Sequence, residues 1–147
     1  MQLETVVIDA TDLRAGRMAT YIAKMLLEGK RVVVINAEKA VISGKRLAII
    51  ERFKRRLERR VWKNPEKVGP KKPRRPDRLL YYVIRGMLPR KTPRGRAALR
   101  RLRVYMGSPQ LPRNYPSPIS IPDAHISKLR GSYVYLYDLA RELGWSG

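Results

Sequence analysis

Two short apolar runs, Thr5-Val6-Val7-Ile8-Asp9-Ala10 and Arg31-Val32-Val33-Val34-Ile35-Asn36, are continuous and β-branched, the pattern of strands buried on both faces. Between them Met18, Ile22, Met25 and Leu26 recur at helical spacing, and Gly29 follows where a C-terminal cap is expected. The segment predicts a β-α-β unit with parallel strands and a right-handed crossover. Ala40-Val41-Ile42 predicts a third short strand. Ser43-Gly44 then opens a helix whose Leu47, Ile50, Phe53 (or Lys54), Leu57 and Val61 face one way, with Lys45, Arg52, Arg55, Arg56, Arg59 and Arg60 on the other side.

From Val61 to Pro76 the pattern fails: Pro65, Pro70, Pro73 and Pro76 stand among six basic residues. This stretch predicts a loop that orders on a partner, because it cannot propagate a helix and has little to bury. Helical spacing resumes through Leu79, Leu80, Val83, Ile84, Met87 and Leu88, and Pro89 stops it. A turn over Pro89–Gly95 leads to a short basic helix at Arg96–Arg101 and a last strand at Leu102–Met106. Beyond Gly107 the prolines at 109, 112, 116, 118 and 122 predict a tail extended over the surface, closed by a short helix at Tyr137–Leu143. No internal repeat is evident.

A chain of 147 residues is the size of one domain with a real core. The expected organisation is a single domain over 1–147, with a basic extension at 52–103 and an extended tail at 108–132. No apolar run approaches the ~20 residues of a membrane span, and Met1–Thr5 lacks the charged start of a signal peptide, which predicts a cytosolic protein. Zero cysteines exclude disulfides, thiolate-bound zinc and thiol catalysis, and one histidine excludes a two-histidine metal site within the chain.

Charge changes the picture most. Residues 52–103 hold 21 of the 33 Lys and Arg side chains against Glu58, Glu66 and Asp77, so +18 of the +21 net charge lies on one stretch. A dense polyanion is the natural partner, since each cation that meets a phosphate releases condensed counterions. Nucleic acid is the expected ligand before any motif is read.

Candidate chemistry is sparse. Asp9 ends a strand and is followed by Thr11-Asp12-Leu13-Arg14-Ala15-Gly16-Arg17, at the strand ends where α/β sheets bind ligands. Helix capping by Asp and Thr is preferred to catalysis there, with Arg14 and Arg17 able to meet a phosphate. Ser43-Gly44-Lys45-Arg46 lacks the first glycine and the final Ser or Thr of a nucleotide-binding loop, which leaves Lys45 and Arg46 as backbone-phosphate contacts at a helix start. His125 stands alone and is read as a packing or hydrogen-bonding residue. Most tyrosines are core or rim by spacing, whereas Trp62, among Arg59, Arg60 and Lys63, could stack on an unpaired base or pack as the last turn of its helix. The remaining candidates for RNA contact are Arg55, Arg56, Arg59, Arg60, Lys63, Lys71, Lys72, Arg74, Arg75, Arg90, Lys91, Arg94, Arg96, Arg100 and Arg101, where arginine's planar fork suits phosphate and base alike. Pro89, Pro93 and Gly95 predict a tight turn that brings backbone N–H groups close to a phosphate. The 12 carboxylates form no cluster in sequence that an RNA-cleaving enzyme would need.

Asp12-Leu13-Arg14-Ala15-Gly16-Arg17-Met18-Ala19, Val34-Ile35-Asn36-Ala37, Ile42-Ser43-Gly44-Lys45, Met87-Leu88-Pro89-Arg90-Lys91-Thr92-Pro93-Arg94-Gly95 and Val104-Tyr105-Met106-Gly107 resemble the ribosomal protein L13 family. The order runs from Val6 to about Pro109, and the Thr92–Arg96 turn is similar to the archaeal and eukaryotic branch. The resemblance implies a three-layer α/β/α fold around a four-stranded parallel sheet in order 3-2-1-4. It also implies a structural role on large-subunit rRNA beside neighbouring ribosomal proteins in the cytoplasm, with no enzymatic activity, cofactor or small-molecule substrate. A regulatory RNA-binding protein acting outside the ribosome is the alternative that fits the same charge.

Overall fold

The computed structural model describes residues 3–59, 62–64, 66–67 and 72–147. In chain order the main elements are β1 (Thr5–Asp9), α1 (Ala15–Leu27), β2 (Arg31–Ile35), β3 (Val41–Ser43), α2 (Arg46–Glu58), α3 (Pro76–Arg85), α4 (Pro93–Arg100), β4 (Leu102–Val104), β5 (Tyr133–Tyr135) and α5 (Leu136–Glu142). The first β-α-β unit forms as its pattern predicts. β1 and β2 are parallel with Val7 opposite Val33, and Met18, Ile22 and Leu26 of the crossover helix are fully buried.

The main sheet has three strands in order β1-β2-β4, all parallel, and not the expected four in order 3-2-1-4. Two differences produce this. β4 pairs with β2, placing Val104 opposite Val34. β3 leaves the sheet, because only residues 36–40 separate it from β2, and a parallel neighbour needs a crossover of roughly a dozen residues or more. Asn36, at φ 56, and a 3-10 turn over Ala37–Lys39 redirect the chain at once. β3 then pairs antiparallel with β5, with Ile42 opposite Val134. The outer edge of β1 is met by a single residue of the tail, Ile119, whose amide donates to the Val7 carbonyl while the Asp9 amide donates to the Ile119 carbonyl, both at 2.9 Å.

The two faces of the sheet are covered differently. Ile8, Val32, Val34 and Leu102 belong to the large core, to which all five α-helices contribute buried side chains. Val7, Val33 and Ile35 form a separate small cluster with Leu111 and Tyr115 of the tail and no helical residue. The tail is thus more than a surface extension: it covers that face, bridges β1, and sends Ile121 and Ala124 into the main core.

Local signals succeed and fail for identifiable reasons. Thr92 caps α4 through its hydroxyl, which accepts from the Gly95 amide, so the helix begins at Pro93, three residues before the expected Arg96. Neither Asp9 nor Thr11 caps α1; the N-cap position is Arg14, without a side-chain cap bond, because Asp12 at φ 58 turns the chain ahead of the helix. Ser43 belongs to β3, and α2 starts from Lys45, also without a side-chain cap. On α2 the buried residues are Ile49 and Ile50, with Phe53 and Leu57 half-buried, while Leu47 is 79% exposed. At 100° per residue, Leu47 lies roughly 100° from the middle of that apolar face. Val61, placed on that face by its spacing, lies outside the described residues.

Candidate nucleic-acid interface

The basic runs converge in space. The C-terminal half of α2, the segment at Lys72-Pro73, α3 and the turn after it enclose a groove of about 500 Å³. Arg56, Arg59, Lys72, Arg85 and Arg90 line it, together with Phe53, Leu57, Leu79, Tyr82 and Val83. Among the described residues no carboxylate lines it. Each helical wall carries an aromatic ring with a guanidinium over it: Arg56 lies 5.1 Å from the Phe53 ring centroid, and Arg85 lies 5.2 Å from that of Tyr82. Phe53, Tyr82 and Arg85 were not legible as site residues in sequence, although Arg78 and Arg85, seven apart on α3, lie near one helical face and both sit over the Tyr82 ring.

The turn after α3 is built to hold cations in place. The Thr92 amide and hydroxyl both donate to the Pro89 carbonyl, at 3.1 and 2.9 Å, and the Arg90 amide donates to Leu88. Arg96 reaches back to donate to the carbonyls of Arg90 and Lys91. Its guanidinium therefore stiffens the turn, and Arg90 and Lys91 are presented outward, both exposed.

Other candidate contacts also have partners within the protein. Arg14 donates to the carbonyls of Asp123 and Ala124, and Arg17 pairs with the Asp123 carboxylate at 2.8 Å. The Tyr21 hydroxyl donates to the same carboxylate at 2.7 Å, and Lys128 lies 3.6 Å from it. The bonds from Tyr21 and Arg17 hold Asp123 well below the usual carboxylate range, at about 2. Arg94 and Arg101 donate to the carbonyls of Leu27 and Leu26 at the end of α1, where cations meet the negative end of the helix. Arg101 is half-buried, with its Nε enclosed and unpaired. Arg46 pairs with Glu142 of α5 at 3.1 Å, and Arg75 with Asp77 at 3.4 Å.

That leaves Lys45, Arg55, Arg56, Arg59, Lys63, Lys72, Arg74, Arg90, Lys91 and Arg100 exposed and without a carboxylate partner among the described residues. Arg60 and Lys71 lie outside those residues, as does part of the proline-rich loop between them. Trp62 is fully exposed, at 103% of its reference area, so it does not pack as the last turn of α2, which ends at Glu58.

The strand ends that would house a catalytic site are filled by the chain itself. Burial raises the Asp9 carboxyl, but bonds from the Thr11 hydroxyl, the Asn36 amide and the Thr11 backbone outweigh it and leave Asp9 below its ordinary value. Asn36 is itself buried, and Glu38 accepts from the Gly107 amide across the same end of the sheet. His125 acts as a hydrogen-bonding residue, its Nδ1 accepting from the Ser127 amide at 3.1 Å. No helix among the described residues is long and apolar enough to cross a membrane.

Comparison with known proteins places the chain in a family. A family-wide sequence model described as Ribosomal protein L13 matches residues 3–111. The chain is 59% identical over 107 residues to the large ribosomal subunit protein uL13 of Pyrobaculum islandicum, a match spanning 71% of this chain and 58% of that one. It is 39% identical to the protein of the same name from Saccharolobus solfataricus, over all of this chain and 97% of the other. With that of Methanopyrus kandleri the identity is 44%, over 97% and 88% of the two chains. With the family match covering most of its length and similarity to archaeal relatives running from end to end, the chain belongs to the ribosomal protein L13 family.

Proposed function

We propose that this protein is a structural constituent of the large ribosomal subunit, held on rRNA by the groove between α2 and α3 and the cationic turn beside it. The observation that carries the proposal is convergence: the cations Arg56, Arg59, Lys72, Arg85 and Arg90 line one groove with no carboxylate in its lining among the described residues. A long polyanion answers that arrangement better than any small acidic ligand, because the protein exposes further cations at Lys45, Arg55, Lys63, Arg74, Lys91 and Arg100.

The α/β core supplies the rigid base, and the outward-facing cations of residues 52–103, a stretch whose α3, α4 and β4 also contribute to that core, act as the RNA-binding surface. Contacts to phosphate and sugar position the protein, and shape dominates over base reading, since the A-form major groove is too narrow for side chains. Trp62 is available to stack on an unpaired base. The tail at 108–132 and the exposed end of α5 are the surfaces offered to neighbouring ribosomal proteins, and the place of work is the ribosome in the cytoplasm. The role is structural and requires no catalytic residue or cofactor.

Titration of the purified protein against extracted large-subunit rRNA at increasing salt tests the proposal. Neutralising six to ten phosphates predicts an affinity falling by roughly 10³–10⁵ between 50 and 200 mM salt, taking duplex DNA as the guide. An affinity indifferent to salt would contradict it.

A further inference from the structure

The groove between α2 and α3 is the wrong shape for a helix backbone alone. Phosphates on a duplex surface are met by convex or flat arrays of cations, which need no apolar floor. Here Phe53, Leu57, Leu79 and Val83 line it together with the cations, and the volume of about 500 Å³ falls within the range of small-ligand pockets. These side chains also pack against the main core, but the part of Phe53, Leu57 and Val83 left accessible beside the cations suits a ligand that carries a flat apolar body on an anionic chain. An unpaired nucleotide is such a ligand: its base has a π-face that stacks on rings and guanidinium planes, and its flanking phosphates seek cations.

We infer that this groove is a base-receiving subsite, in which a single unpaired nucleotide of RNA inserts its base between the α2 and α3 walls. Its neighbouring phosphates rest on Arg59, Lys72 and Arg90. The inference rests on the proposed RNA-binding role and names the part of the RNA that this surface takes. Phe53 with Arg56 forms one wall and Tyr82 with Arg85 the other, with guanidinium-to-ring distances of 5.1 and 5.2 Å. Both rings are half-buried, so each is held by packing while part of it remains accessible. The absence of any carboxylate from the lining among the described residues disfavours a basic or mixed-charge peptide, and an acidic peptide would need backbone hydrogen-bond partners that two helical walls do not offer.

Gly86 permits a test that removes no charge. It lines the groove, is exposed, and has φ −64 and ψ −19, open to any residue. A β-carbon there would meet its nearest neighbours, the carbonyl oxygens of Tyr82 and Val83, at 3.5 and 3.6 Å, which is ordinary contact. Gly86→Leu should therefore fold normally and obstruct the groove.

Two synthetic RNA hairpins serve as probes, one carrying a single bulged 4-thiouridine and the other the same base paired. The full-length protein should bind the bulged hairpin about tenfold more tightly, within the range of one stacked base, and ultraviolet crosslinking should attach the thiouridine to Phe53 or Tyr82. Gly86→Leu should lower affinity for the bulged hairpin more than for the paired one and so abolish the preference between them, with an unaltered melting temperature. Equal binding of the two hairpins, crosslinks confined to residues outside the groove, or a Gly86→Leu protein that keeps the preference would each overturn the subsite while leaving the RNA-binding role standing. Failure to bind either hairpin or extracted rRNA would overturn both.

Discussion

The backbone of Pro89 occupies the space that a β-carbon on Gly95 would need: such a carbon would lie 2.5 Å from the Pro89 carbonyl carbon, and closer still to its oxygen. The turn that presents Arg90 and Lys91 is folded directly onto the first turn of α4, with the Thr92 hydroxyl bonded to both sides of the junction. Glycine is required here by close approach of two backbone segments.

Gly95→Ala should accordingly cost about 1–3 kcal/mol, the usual penalty of overpacking a tight site, because backbone must move to admit one methyl group. The displaced turn carries Arg90 and Lys91 with it, so RNA affinity should fall further than stability. Thermal melting and rRNA titration on the same variant check both parts; unchanged melting would contradict the close approach.

Arg100 and Arg101 are neighbours with opposite employment. Arg100 is exposed without a carboxylate partner among the described residues, whereas Arg101 donates to the Leu26 carbonyl. Arg100→Ala should leave stability within about 0.5 kcal/mol and reduce the slope of log affinity against log salt by roughly 0.7–0.9 if it meets one phosphate. Arg101→Ala should cost about 1.5 kcal/mol, as for a hydrogen bond to a charged group. Urea unfolding of the two variants should separate them.

Asp123 ties the tail to α1, and its pKa is depressed to about 2 by Tyr21 and Arg17. A group whose folded pKa lies below its unfolded value contributes stability that is full above the unfolded value, 3.8 here, and is lost as pH falls through about 2. Wild type should exceed Asp123→Asn in urea midpoint at pH 5, and the difference should shrink between pH 4 and pH 2. A difference that persists unchanged at pH 2 would show that the carboxylate charge is not the source.

On α2, Ile49 is 3% exposed and Leu47 79%. Ile49→Ala should cost about 3 kcal/mol, in the range for buried aliphatic truncations, and Leu47→Ala should stay within about 0.5 kcal/mol. The reverse order would mean that the helix is rotated on the core.

Local and long-range features were unequally legible in the chain. The β1-α1-β2 unit could be read because each element carries its own period, β-branched runs around a helix with Met18, Ile22 and Leu26 on one face. The departure of β3 could also have been read, since a five-residue link cannot return a chain to make a parallel neighbour; a family pattern of four strands obscured it. The partner of β3 was not legible, because β5 lies some ninety residues on and contributes only three. The roles of Arg14, Arg17, Arg94 and Arg101 were hidden for the same reason, their acceptors being the distant tail and the end of α1. A charge run shows how many cations a surface has, but intramolecular acceptors decide which of them remain for RNA. Thr92-Pro93 with Gly95 was legible as a rigid turn because cap, proline and glycine constrain the backbone locally.

Sedimentation of a tagged copy through a sucrose gradient after a high-salt wash tests the central claim most directly. An integral constituent should remain in the large-subunit peak in a one-to-one ratio with other subunit proteins, because burial among many partners blunts the salt sensitivity of the isolated protein. Release to the top of the gradient would contradict that claim and leave a loosely bound basic RNA-binding factor in its place.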